Sequence, residues 1–207
     1  MRIASIVLLL AGCGPMLVGG APVAEGLRAD GDELVGDGRW EGPTRAGALY
    51  NAVIEIPAGT RAKYELDHAR DRMVWSERNG ERRVIAGLGY PANYGFVPGT
   101  MAARDEGGDG DPIDVLVLGD VLPRGAVVAV RILGALALID DGEADDKLIA
   151  VVPSASGIGA AEGLDSLEHA APGTLHAIEH FFLHYDPAET AESHGYRDRN
   201  QAEAMLH

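Results

Sequence analysis

Two runs constrain the fold of this chain more than any other feature: "IDVLVLG" at residues 113–119 and "AVVAVRILGALALID" at 126–140. Both are apolar and β-branched, so they read as strands in the core of a sheet or barrel. Each also meets a cluster of carboxylates. Asp109, Asp111 and Asp114 crowd the head of the first run, and Asp140, Asp141, Glu143, Asp145 and Asp146 close the second, just before Lys147. Like charges this close repel and raise one another's pKa. A cation between them would relieve that, and one hairpin-like excursion of the chain would bring the two clusters face to face. All-oxygen ligand sets suit hard ions such as Mg²⁺, with Mn²⁺ as the alternative. Mg²⁺ usually shares its shell with a phosphate, so two facing clusters predict a multi-metal phosphoryl site. An EF-hand does not fit. With Asp109 as its first position, Ile113 falls where an oxygen ligand belongs and Asp114 where glycine is required.

The flanking segments predict a mixed chain. "LYNAVIEIP" and "AKYELD" read as strands parted by the turn "PAGT", and "KLIAVVP" as a further short strand. "MVWSERNGERRVIAG" reads as a hairpin with Asn79-Gly80 in its turn. In "TLHAIEHFFLHY", Leu175, Ile178, Phe182 and Tyr185 recur at helical spacing and should face a core. His176, His180 and His184 share another face, read here as partly solvated. "RDRNQAEAML" reads as a last short helix. Strands first and helices last give an α+β chain, mainly β. The formal net charge of −15 argues against nucleic acid as a partner, since phosphate-backbone binding rests on Lys and Arg.

The N-terminus carries a different signal. Arg2, the apolar run from Ile6 to Ala11, and then Leu10-Ala11-Gly12-Cys13 make a short secretory leader ending in a sequence that resembles a bacterial lipobox. The expected organisation is a signal peptide over 1–12, a lipid-modified Cys13 with a flexible tether to residue 44, and a domain over 45–207. The chain would then be an extracytoplasmic lipoprotein of the cell envelope or periplasm, held to the membrane by lipid alone. The 14–44 stretch earns the word tether by its Gly, Ala, Pro and acidic content and its lack of periodicity.

A phosphate site needs fixed cations and hydroxyls. Lys63 and Glu65, two apart, project from one strand face; Arg82 follows the hairpin turn, with Arg78 and Arg83 close by; and "GYPANYGFVPG" carries Tyr90 and Tyr94 in a Pro- and Gly-punctuated loop. Taken in order, "IEIPAGTRAKYELD", "YPANYGFVPGT", "DGDPIDVLVLG", "DDGEADDKLIAV" and "IEHFFLHY" resemble the blocks of the soluble inorganic pyrophosphatases of family I, from about Leu49 to Tyr185. The resemblance implies a small closed, OB-like five-stranded β-barrel with flanking α-helices, and Mg²⁺-dependent hydrolysis of pyrophosphate to two phosphates by a metal-activated water. By motif position it implies Asp109, Asp114, Asp140 and Asp145 as metal ligands and Asp111 as the base on the water. Lys63, Arg82, Tyr94 and Tyr185 match phosphate contacts, Arg82 being chosen by its eight-residue step from Tyr90. Glu55, Glu65, Tyr90 and Lys147 match auxiliary positions. A hexamer is the assembly it implies.

The chain departs from the family pattern at Asp186, where Lys is common, and in "TMAARDEGG", a longer loop before Asp109. An anion in place of that cation predicts either weaker substrate binding, relieved by Asp186→Lys, or a side chain that turns away from the site. It also supports an alternative function, a catalytically weakened relative that binds pyrophosphate or metal at the envelope.

Overall fold

The computed structural model describes residues 16–102, 108, 110–188 and 190–206; Cys13, the leader and Asp109 lie outside them. Strands β1 (Arg28–Asp30) and β2 (Glu33–Val35) precede β3 (Leu49–Ile56), β4 (Tyr64–Asp67) and β5 (Arg72–Trp75). The hairpin β6–β7 (Glu77–Arg78, Glu81–Arg82) follows, then β8 (Asn93–Phe96), β9 (Asp114–Leu118), β10 (Val127–Asp140) and β11 (Lys147–Val151). Helices α1 (Leu164–Ala170) and α2 (Thr174–His184), strand β12 (Ala191–Asp198) and helix α3 (Arg199–Ala204) complete the order.

The two apolar runs are core strands, as their composition requires. β10 is fourteen residues long and pairs with β3, β11 and β12. Its first part pairs with β3, through Val127↔Val53 to Val130↔Tyr50, and its later part pairs with β11 after a register shift between Ile132 and Gly134. β11 lies parallel to β9, β9 antiparallel to β8, and β8 antiparallel to β3. The ladder therefore returns to the strand it started from, giving the five-stranded ring that was expected. Closure removes exposed edges and leaves two faces for apolar side chains. Ile56, Leu116, Leu136 and Ile149 pack in one buried cluster, toward Ile178 and Phe182 of α2; Ile54, Val115, Ile132 and Ala150 pack in the other, toward Ala202 of α3.

The hairpin turn sits where it was placed. Asn79 and Gly80 both have positive φ, 55° and 78°, as a type I′ turn demands. Two expectations need correction. Tyr94 lies on a strand, β8, and not in a loop. The stretch expected to be a flexible tether is folded from residue 16 onward: β2 pairs with β5 through Leu34↔Met73, and Leu34 and Trp40 are fully buried. Trp40 donates its indole N–H to the carbonyl of Gly125. The strands here are two or three residues long, so no hydrophobic period could build up in the sequence. Six buried apolar side chains, Val18, Ala21, Val23, Leu27, Leu34 and Trp40, nonetheless secure the arm against the barrel.

Candidate active site

Strand polarity assembles the site. β9 and β11 run parallel with Val115 opposite Leu148, so the residues before them, Asp114 and Lys147, emerge at one rim. β10 is antiparallel to β11 and ends there, delivering Asp140. The turn after it returns Glu143, Ala144 and Asp145 to the same rim. β3 contributes Glu55, β8 Tyr94, β4 and its approach Lys63, Glu65 and Asp67, and the end of α2 Tyr185. All of these, with Asp111 and Asp141, line one cavity of about 650 Å³.

The charge balance of that cavity is its most informative property. Nine carboxylates line it, with two lysines and one histidine. Lys147, itself buried, holds the centre: its ammonium pairs with Asp114 and, at 2.5 Å, with Asp145. The Tyr94 hydroxyl donates to the same Asp114 oxygen at 2.5 Å. Burial disfavours the charged lysine, yet Asp114 and Asp145 outweigh it and raise its pKa above the ordinary value. Burial, together with the charges of Asp114 and Asp140, raises Asp145 despite Lys147. Glu55 is 7 % exposed and accepts the backbone N–H of Leu66 at 2.6 Å. Burial first and the Asp114 charge second push its pKa to about 8. Burial also holds the Tyr94 phenol well above its usual range.

Among the expected site residues, Lys63, Tyr94, Asp111, Asp114, Asp140, Asp145, Tyr185, Glu55, Glu65 and Lys147 are brought to this cavity. Tyr90 is placed behind it, 2 % exposed, its ring 5.3 Å from Tyr94 and 6.2 Å from Tyr185. Arg82 goes elsewhere: it pairs with Asp32 at 2.8 Å and lies over the Trp75 ring. The reason is the hairpin. Ser76 and Arg83 flank it and are joined by the Arg83 N–H to Ser76 carbonyl bond, while Lys63 N–H bonds the Arg83 carbonyl. Residues 77–82 are thus a closed excursion, and Arg82, its last residue, is carried away from the cavity with it. Arg83 stands next to Lys63, and its side chain is 14 % exposed.

Asp67 was missed, although it continues the Lys63, Glu65 alternation along one strand face. The pairing of Asp186 was also invisible. Its carboxylate accepts from Arg83 at 2.7 Å and from Arg78 at 3.0 Å. Burial alone would raise its pKa, but the Arg83 hydrogen bond, the Ala188 N–H and the two guanidinium charges hold it below the ordinary carboxylate value. The helix histidines stack along α2, and His184 is engaged with the His180 carbonyl. Among the described residues, no three carboxylates, histidines or cysteines approach closely enough to hold an ion by themselves. Asp109, the remaining expected ligand, is outside those residues. The donors are of the type that suits a hard divalent ion: they are carboxylate oxygens, two of them paired with the Lys147 ammonium.

Comparison with known proteins agrees with this architecture. The inorganic pyrophosphatase family model matches residues 52–207. The chain is 33% identical to an inorganic pyrophosphatase of Campylobacter jejuni over 160 residues, covering 75% of this chain and 87% of that one. It is 35% identical to that of Streptomyces coelicolor, covering 76% and 91%. Eukaryotic relatives are longer: the chain spans 42% of Caenorhabditis elegans inorganic pyrophosphatase 1 and 63% of the rice soluble enzymes. The crystal structure of the Thermus thermophilus inorganic pyrophosphatase superposes with a TM-score of 0.67 at 30% identity, covering 80% of this chain and 92% of that one. A vacuolar soluble pyrophosphatase of Trypanosoma cruzi in complex with PPi gives 0.73 at 27%, covering 84% and 76%. With a family model matched over residues 52–207 and relatives above 30% identity, the chain belongs to the inorganic pyrophosphatase family.

Proposed function

We propose that this chain hydrolyses inorganic pyrophosphate to two phosphates with Mg²⁺. The observation that carries the reading is the cavity with nine carboxyl groups, Glu55 alone held largely protonated at neutral pH, against two lysines. A polyanionic substrate would be repelled from it unless divalent cations entered too, so the cavity suits a metal–phosphate complex better than either phosphate or an organic ligand. Asp114, Asp140 and Asp145, with Asp109, would hold Mg²⁺. Bound Mg²⁺ supplies a water of lowered pKa and offsets charge on the phosphoryl oxygens. Asp111, exposed at the rim, takes the proton of the attacking water. Lys63, Tyr94 and Tyr185, which line the same cavity, orient the phosphoryl groups. Arg83, whose backbone carbonyl bonds the Lys63 N–H and whose guanidinium pairs with Asp186, is nearer to this wall than Arg82.

The pairing of Asp186 with two arginines weakens the case for a non-catalytic relative, which rested on an anion at that position and on the expected envelope location. We also propose export and lipid attachment at Cys13, supported by the sequence of the leader, and assembly as a hexamer, supported by the family resemblance. Phosphate release from pyrophosphate tests the catalytic reading. Wild-type chain should turn over, and Asp111→Asn should lower kcat about 10²–10⁴-fold with the fold retained, as loss of a general base does.

A further inference from the structure

We infer that the N-terminal arm, residues 16–46, positions the substrate-binding strand β4 by bracing Tyr64 from behind, with Arg124 as the buried link. The inference rests on the pyrophosphatase reading and concerns a segment that precedes the family match at residue 52.

Tyr64 stands between Lys63 and Glu65 in sequence. Alternation along the strand sends those two to the cavity and the Tyr64 ring into the core, where it is 1 % exposed. Four contacts hold that ring. Its hydroxyl donates to the backbone carbonyl of Asp32 at 2.9 Å. Gly19 lies so close that a Cβ there would come within 2.5 Å of the ring, and its φ of +57° also favours glycine. Trp75, opposite Tyr64 across the β4–β5 ladder, places its ring centroid at 5.5 Å. The Arg124 guanidinium covers the ring at 3.5 Å from its centroid.

Arg124 is an unusual residue to bury. It is fully buried, and its Nε and Nη2 have no hydrogen-bond partner among the described residues. Burial lowers its pKa to about 10, so it is still a cation at neutral pH. Leaving guanidinium donors unpaired in a core is costly. Its contacts indicate what the group does there. Nη1 donates to the Glu55 carbonyl at 2.5 Å, the face covers Tyr64, and the Arg124 backbone bonds Pro22 and Ala24 of the arm. One residue therefore ties the arm, through its backbone, to two strands that carry cavity residues, through its side chain: Glu55 on β3, and Lys63 and Glu65 beside Tyr64.

The arm makes two further polar ties, one to the hairpin beside the site and one to the cavity wall. Asp32 pairs its carboxylate with Arg82, which lies over Trp75. Glu41 pairs at 2.7 Å with His68, which lines the cavity. A merely protective cover would need none of these polar ties to the site wall. Site geometry is sensitive to shifts well below the size of a side chain, and bracing from behind is how a wall is held within such limits.

The test uses the full chain and steady-state pyrophosphate hydrolysis. Arg124→Met keeps the stem and removes the cation and its donor. It should raise KM about tenfold, more than it lowers kcat, because Lys63 and Glu65 lose their register toward substrate. Arg124→Lys keeps a cation over the ring but not the planar fork, and should fall between Met and wild type. If Arg124→Met does not fold, Tyr64→Phe deletes only the hydroxyl and should raise KM about threefold. A lowered melting temperature with unchanged KM in Arg124→Met and Tyr64→Phe would make the arm purely structural and overturn the inference. Failure of the wild-type chain to hydrolyse pyrophosphate would instead overturn the functional reading on which it rests.

Discussion

Glu55 and Asp186 are both carboxylates beside the same cavity, and their surroundings push them in opposite directions. Glu55 is raised to about 8 from 4.5 by burial and by Asp114. The folded state then binds its proton more tightly than the unfolded chain does. Its contribution to stability is complete below about pH 4.5 and is lost as pH rises toward 8. Metal-free wild-type chain should therefore melt at progressively lower temperature across that window. Glu55→Gln should flatten that slope in thermal melts, and an unchanged slope would refute the assignment. Asp186 is held the other way by Arg78 and Arg83. The sequence alone suggested that Asp186→Lys would strengthen substrate binding. The pairing reverses the sign: a third cation beside two arginines would scatter them, and KM should rise. Titrating pyrophosphate against both chains checks this. What sequence hid at this scale was pairing, since Asp186 lies over a hundred positions from Arg78 and Arg83.

The elements were legible wherever hydrophobic pattern or turn chemistry was strong. β3, β9, β10 and β11 are nearly continuous apolar runs, and Asn79-Gly80 fixed its hairpin. The same hairpin misled the choice of arginine, because it closes between Ser76 and Arg83 and carries Arg82 out with it, which a residue count from Tyr90 does not mark. β12 was missed because it pairs with β10 while most of its side chains remain exposed or half-exposed, so it shows no apolar period. The arm was misread for a related reason: its strands are too short for a pattern, and its order comes from isolated anchors. Trp40 is the deepest of these, fully buried and bonded to Gly125. Trp40→Ala should cost about 3–5 kcal/mol in chemical denaturation, as large core truncations do. A cost below 1 kcal/mol would mean that the arm is not part of the cooperative unit.

At the scale of the whole molecule, one charge sign dominates. A chain at −15 with a cavity richer still in carboxylates is poorly suited to bind a polyanion unaided. The sequence made this readable before any fold was known, because the two acidic clusters bracket the apolar runs that the barrel then folds together. It did not reveal Lys147 bridging Asp114 and Asp145, since three-way contacts depend on the parallel pairing of β9 with β11. The leader predicts a further whole-molecule property. Expressed in a bacterium, the full chain should take up labelled fatty acid and sediment with membranes, and Cys13→Ala should abolish both.

The most direct measurement is phosphate release from pyrophosphate by the purified chain, from full chelation to millimolar Mg²⁺. Release should be absent under chelation and should rise with Mg²⁺ to a plateau. Release that persists undiminished under chelation, or none at any Mg²⁺ concentration, would contradict a cavity that admits pyrophosphate only in the company of divalent ions.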